Sequence, residues 1–124
     1  MEQSILTTIK KMLGITKEYT HFDQDIIMHI NSVFMILNQM GVGPIKAYSI
    51  SGEYDTWSEF MADEEILHAV KSYIYLKVKM LFDPPSSSSI MESMNQQIKE
   101  LEWRLNVAAE NNAASGEEES QNGS

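Results

Sequence analysis

The sequence predicts an all-α fold, a small bundle of four main helices, on three observations. Four segments repeat apolar residues at the three- and four-residue spacing of a helix face. Glycines and a proline pair separate those segments. The chain of 124 residues, 43% hydrophobic and 22% charged with no cysteine, has the size of one compact domain that must be stabilised by burial.

The first segment, about Ser4 to Leu13, places Ile5, Ile9, Met12 and Leu13 on one face. Gly14 follows as a left-handed stop, with Ile15 positioned to pack back onto the last turn. The second, about Gln24 to Met40, opens with Asp23 as N-cap, Phe22 and Ile27 having the spacing of a hydrophobic staple, and it ends at Gly41. Ile26, Ile30, Val33, Leu37 and Met40 form its main stripe, but Ile27, Met28, Phe34, Met35 and Ile36 carry apolar surface round much of the cylinder. A helix of that kind is normally enclosed on more than one side.

Residues 41–55, with Gly41, Gly43, Pro44 and Gly52, read as an irregular loop or a short hairpin. Thr56 and Glu59 have capping-box spacing and predict a helical turn carrying Trp57 and Phe60. Asp63 caps the next helix, about Glu64 to Phe82, with Glu64 and Glu65 at its positive end. Asp83, Pro84 and Pro85 end that helix, since proline disfavours helical geometry before it and lacks an amide hydrogen. Ser89 and Glu92 match a second capping box, opening a helix through about Glu110. Its Met91, Met94, Ile98, Leu101, Leu105 and Ala108 step as a seam facing a partner helix. Residues 1–110 thus form the helical domain. Residues 111–124, with Glu117 to Glu119 and no large apolar residue, read as an acidic tail disordered when alone.

The composition excludes several function classes. Without cysteine there is no disulfide scaffold, thiolate metal site or cysteine nucleophile. A formal net charge of -9 argues against electrostatic wrapping of nucleic acid. No run is long enough for a membrane span, and the start lacks a signal-peptide layout, so the protein is expected to remain in the compartment of its synthesis. His21, His29 and His68 lie in separate settings, and no phosphate-cradling loop or nucleophile elbow occurs. We therefore expect no catalytic residue, no metal site and no cofactor. Asp23 with Asp25, and Glu64 with Glu65, serve helix ends rather than acid–base chemistry.

The aromatic residues carry more information. Trp57 and Phe60 read as core packing rather than a binding pocket. Trp103 lies about 200° round the helix from Leu101, opposite the seam, and Val107 shares that outer side. Either this side is sandwiched within its own domain or it meets another subunit, where tryptophan is a favoured anchor.

The stretch from Leu81 through Pro84, Pro85 and Ser86–Ser89, the helix from Met94 to Asn106 and the opening Ile9 to Ile15 together resemble the head–tail connector proteins of tailed bacteriophages. The likeness covers about residues 4–110 and rests on packing and punctuation rather than on a chemical signature. It implies a non-enzymatic, head-completion adaptor in the virion, present in the host cytoplasm during assembly. Its copies would form a dodecameric ring beneath the portal protein, extend the DNA channel without specific nucleic-acid recognition, and offer a platform to another neck or tail protein. Candidate subunit or portal contacts are Trp103, Val107 and Arg104, followed by Trp57 and Phe60. The rival reading is a small acidic helical protein that binds a regulator, acting as a DNA mimic. A small enzyme is a weaker rival, since no residue set supplies nucleophile, base and stabiliser together.

Overall fold

The computed structural model describes the backbone of residues 3–122 and the side chains of residues 3–112. Its elements are α1 (Ile5–Met12), α2 (Asp23–Met40), the single turn α3 (Trp57–Phe60), α4 (Glu64–Phe82) and α5 (Ser88–Asn122). No strand occurs among the described residues; one isolated antiparallel bridge joins Ser4 to Thr56. The all-α expectation holds, and the stretch 41–55 is a loop rather than a hairpin.

The predicted punctuation acts as expected in most places. Ser4 caps α1 by accepting from the Thr7 amide at 3.2 Å. Gly14 follows in the left-handed region, and the Ile15 amide returns to the Lys10 carbonyl at 2.8 Å. Gly41 closes α2 with φ 87°. Asp63 Oδ1 accepts from the amides of Glu65 and Ile66 at 3.0 and 3.2 Å. Glu59 Oε1 accepts from the Thr56 amide at 2.9 Å, the reciprocal half of the capping box. The proline pair stops α4 at Phe82.

Three local expectations change. Asp23 is not a cap: Phe22 occupies that position with no capping side chain, its ring edge-on to Phe82 at 5.2 Å. The Asp23 carboxylate instead pairs with Lys10 Nζ at 2.8 Å, a partner that only the packing of α1 on α2 supplies. Helix α5 starts a residue before Ser89, because the Ser87 hydroxyl, not that of Ser89, accepts the Ile90 amide, at 3.4 Å. The last helix also runs on past Glu110, where its spacing placed the end. Helical geometry continues to Asn122 through the good helix formers Ala113, Ala114 and Glu117–Glu119. The expectation that residues 111–124 are disordered when alone rests on their composition; residues 123–124 lie outside the described residues.

Helix α4 is the shared element, with α1, α2 and α5 all packed on it. Its Val70, Tyr73, Ile74 and Val78 are fully enclosed, as are Ile26, Ile30, Val33, Phe34 and Leu37 of α2, Ile5 and Ile9 of α1, and Leu105 of α5. Each such side chain contributes about 1.5–3 kcal/mol on burial. Phe22, just before α2, touches Phe82 at the end of α4. At the other pole, an added Cβ on Gly41 after α2 would lie 3.6 Å from Ala109 Cβ of α5. Helix α2 thus runs antiparallel to α4, and α2 and α5 run in the same direction.

Candidate interaction surfaces

The seam of α5 is buried as its periodicity predicts, Met94, Ile98 and Leu105 closing onto the core with Leu101 half-buried. Opposite the seam stands Trp103, 67% exposed. Val107 is half-buried on the same side. Arg104 is exposed and donates to Glu100 Oε1 at 2.7 Å, the four-residue pair read from sequence; an exposed pair of this kind contributes only ~0.3–0.5 kcal/mol.

Trp57 and Phe60 lie elsewhere, 3% and 5% exposed within their own chain. The Trp57 indole N–H donates to Thr8 Oγ1 at 3.1 Å, tying α3 to α1. The Phe60 ring packs on Phe34 and Tyr48 with centroids 4.8 and 5.5 Å apart. The structure therefore places both in the core and does not bring them together with Trp103 as an exposed surface.

Other outward apolar groups were hidden in the sequence by the general greasiness of the helices. Met28 and Met35 of α2 are 61% and 60% exposed. Ile45 and Tyr54 project from the loop, and Leu81 and Ile90 flank the proline turn. Single exposed apolar residues are ordinary; two outward methionines on one stripe of α2, with only the short Asn31 and Ser32 between them on that face, are less so.

The 41–55 loop is fastened rather than slack. Asn31 holds both backbone groups of Ile50, donating to its carbonyl at 2.9 Å and accepting from its amide at 2.8 Å. Asn38 Nδ2 donates to the carbonyls of Pro44 and Ile45 at 3.2 and 3.1 Å. Asp55 Oδ2 accepts from the Ser51 and Gly52 amides at 2.7 and 3.2 Å. Below the loop, a groove of about 390 Å³ opens between the adjoining ends of α2 and α5, lined by Val42, Pro44, Met61, Ile66, Ala108 and Ala109 among others.

The titratable groups that depart from ordinary behaviour are structural. Burial, with Glu59 and Asp55 near, pushes the Tyr48 hydroxyl up to about 12. Burial and then its 2.9 Å bond to Glu102 Oε2 push Tyr73 up as well. Unfolded tyrosines ionise near 10 while the folded chain keeps these protons. The stability they contribute is therefore fully present below pH 10 and falls as pH rises through about 12. Urea midpoints measured from pH 8 to 12 should show that decline. Among the described residues the Tyr48 hydroxyl has no hydrogen-bond partner, so Tyr48→Phe should leave neutral-pH stability unchanged or raised and make the alkaline loss shallower.

Among the described residues, no group of three or more His, Asp or Glu is placed to hold a metal ion, and no helix is long and apolar enough to cross a membrane. What the bundle presents outward is a set of exposed apolar side chains, Trp103 on α5 and Met28 and Met35 on α2 among them. The description "Phage connector protein" belongs to the family model that matches residues 5–112. The chain belongs to this family, whose role is structural rather than enzymatic. No curated protein and no solved structure matches it.

Proposed function

We propose that the chain is a head-completion adaptor, twelve copies of which form a ring beneath the portal, extend the DNA channel and offer a platform to the next neck or tail protein. Membership of the connector family over residues 5–112 carries this reading. The outward Trp103 supports it, since a ring is built from head-to-tail contacts in which one surface of each subunit meets a different surface of the next. Charge supports it too. Lys10 is turned inward to Asp23, Lys79 pairs with Asp83 at 2.8 Å, and Lys71 sits 5.3 Å above the Trp57 ring. With these cations occupied and a net charge of -9, an acidic lumen would repel phosphates and let DNA pass without sticking.

Mixing the chain with its cognate portal and weighing the complex by native mass spectrometry tests the reading. Uptake of twelve chains per portal ring is the expected result, and removal of residues 111–124 should leave it unchanged. A portal mass unaltered by the chain would overturn the proposal.

A further inference from the structure

We propose that the surface receiving Trp103 is the outer stripe of α2 on the neighbouring copy, so that each subunit offers a knob on α5 and a socket on α2. This rests on the ring reading and names the two faces that meet.

The socket is visible in α2. Met28 and Met35 are both outward and seven residues apart, about 10.5 Å along one stripe. Between them stands exposed Ser32, small enough to leave a depression. Residues spaced i, i+3, i+4 and i+7 make the four-sided hole that accepts a side chain from a facing helix, and here those positions are Met28, Asn31, Ser32 and Met35. The floor is already satisfied. The Ser32 hydroxyl donates to the Met28 carbonyl at 3.0 Å, and Asn31 is engaged with Ile50, so covering the hole strands neither polar group. Methionine walls adapt to an aromatic ring and make favourable sulfur–aromatic contacts. Of the two large apolar side chains exposed on α5, Ile90 sits in the first turn beside the proline stop and Trp103 stands in mid-helix, where it can meet a facing helix.

The occupant is a second copy because the charges beside knob and socket are complementary. Lys99 lies one turn before Trp103 on the same exposed stripe, and Asp25 lies three residues before Met28 on the socket stripe; both are exposed. No ion pair involving either occurs among the described residues. When α5 of one copy lies along α2 of the next in parallel, with Trp103 over Ser32, Lys99 falls toward Asp25. An antiparallel arrangement sends Lys99 to the opposite end, past Met35. Rotation about a ring axis along the bundle preserves helix direction, and α2 and α5 run the same way within one chain, so the parallel arrangement is the one a ring produces. Knob and socket are different surfaces, and such a contact propagates round a ring instead of stopping at a dimer.

The absence of cysteine makes the test free of background thiols. The full chain carrying both Asp25→Cys and Lys99→Cys is treated with a short bismaleimide. A ladder of covalent multimers is expected, whereas the two single variants mixed should yield dimers and nothing larger. Adding Trp103→Glu to the double variant should reduce cross-linked product by about tenfold or more, as loss of a central anchor does. Absence of the ladder, a ladder indifferent to Trp103→Glu, or dimers from Lys99→Cys alone, the sign of a two-fold contact, would each overturn the pairing. The portal mass counts copies whichever faces meet. Twelve copies on the portal with no cross-link would therefore refute the pairing and leave the ring standing, while a ladder without portal uptake would do the reverse.

Discussion

Replacing Gly43 by alanine is expected to destabilise the bundle by about 2–5 kcal/mol, combining left-handed strain with overpacking. Gly43 has φ 94°, and a Cβ built there would fall 2.4 Å from Phe60 Cε2. Phe60 cannot give way freely, because its ring is wedged against Phe34 and Tyr48. Gly14 provides the comparison. It has φ 83° and nothing within 4 Å of the corresponding position, so Gly14→Ala should bring the strain alone, about 1–2 kcal/mol. The difference between the two variants measures the crowding at Phe60. Thermal unfolding should show Gly43→Ala melting about 10 °C or more below the parent chain. Equal losses at both glycines would mean that the ring moves aside.

The second large effect is at the ion pair between α1 and α2. Lys10 is buried to within 2% of its surface, and its ammonium has two partners, Asp23 at 2.8 Å and the Lys17 carbonyl at 3.1 Å. Asp23→Ala leaves a buried cation with one neutral acceptor, a loss of about 2–3 kcal/mol once the usual cost of breaking a buried pair is discounted for partial exposure. Lys10→Met keeps the packed stem and removes the charge. The Asp23 carboxylate it leaves behind is 22% exposed and can turn to water, so the cost should be about 1 kcal/mol or less. Urea unfolding of the two variants should rank them in that order. A reversed order would mean that Lys10 reaches solvent by a small shift of α1.

These two sites show where sequence reasoning ends. Helix spacing and the stops at Gly14, Gly41 and Pro84 were legible because each acts on its immediate neighbours. The position of Trp103 opposite the seam was legible too, since it follows from the angle to Leu101 on one cylinder, whereas its exposure depends on which elements pack on α5 and shows only in the fold. Asp23 was misread as a cap because its partner Lys10 lies thirteen positions away and arrives only when α1 packs. Ser87 displaced Ser89 as the start of α5 because, in a run of four serines, several can cap and the path of the chain chooses among them. The fastening of the loop by Asn31 and Asn38 left no signal, as isolated asparagines in a helix have no spacing to betray a bond to a distant backbone. Met28 and Met35 were counted as candidates for enclosure, and only the packing of the other faces of α2 shows that they remain outside.

The account depends on apolar anchors that a lone subunit leaves in water and that assembly covers. The chain has two tryptophans, and the structure separates them: Trp57 is buried and Trp103 is exposed. Acrylamide quenching, read on the free chain and on its complex with a portal whose own tryptophans are replaced by phenylalanine, therefore reports on Trp103 against an internal buried reference. The free chain should show one readily quenched and one protected tryptophan, and in the complex the quenched fraction should vanish with a blue shift of the emission. A quenched fraction that persists undiminished in a complex of confirmed mass would contradict the account.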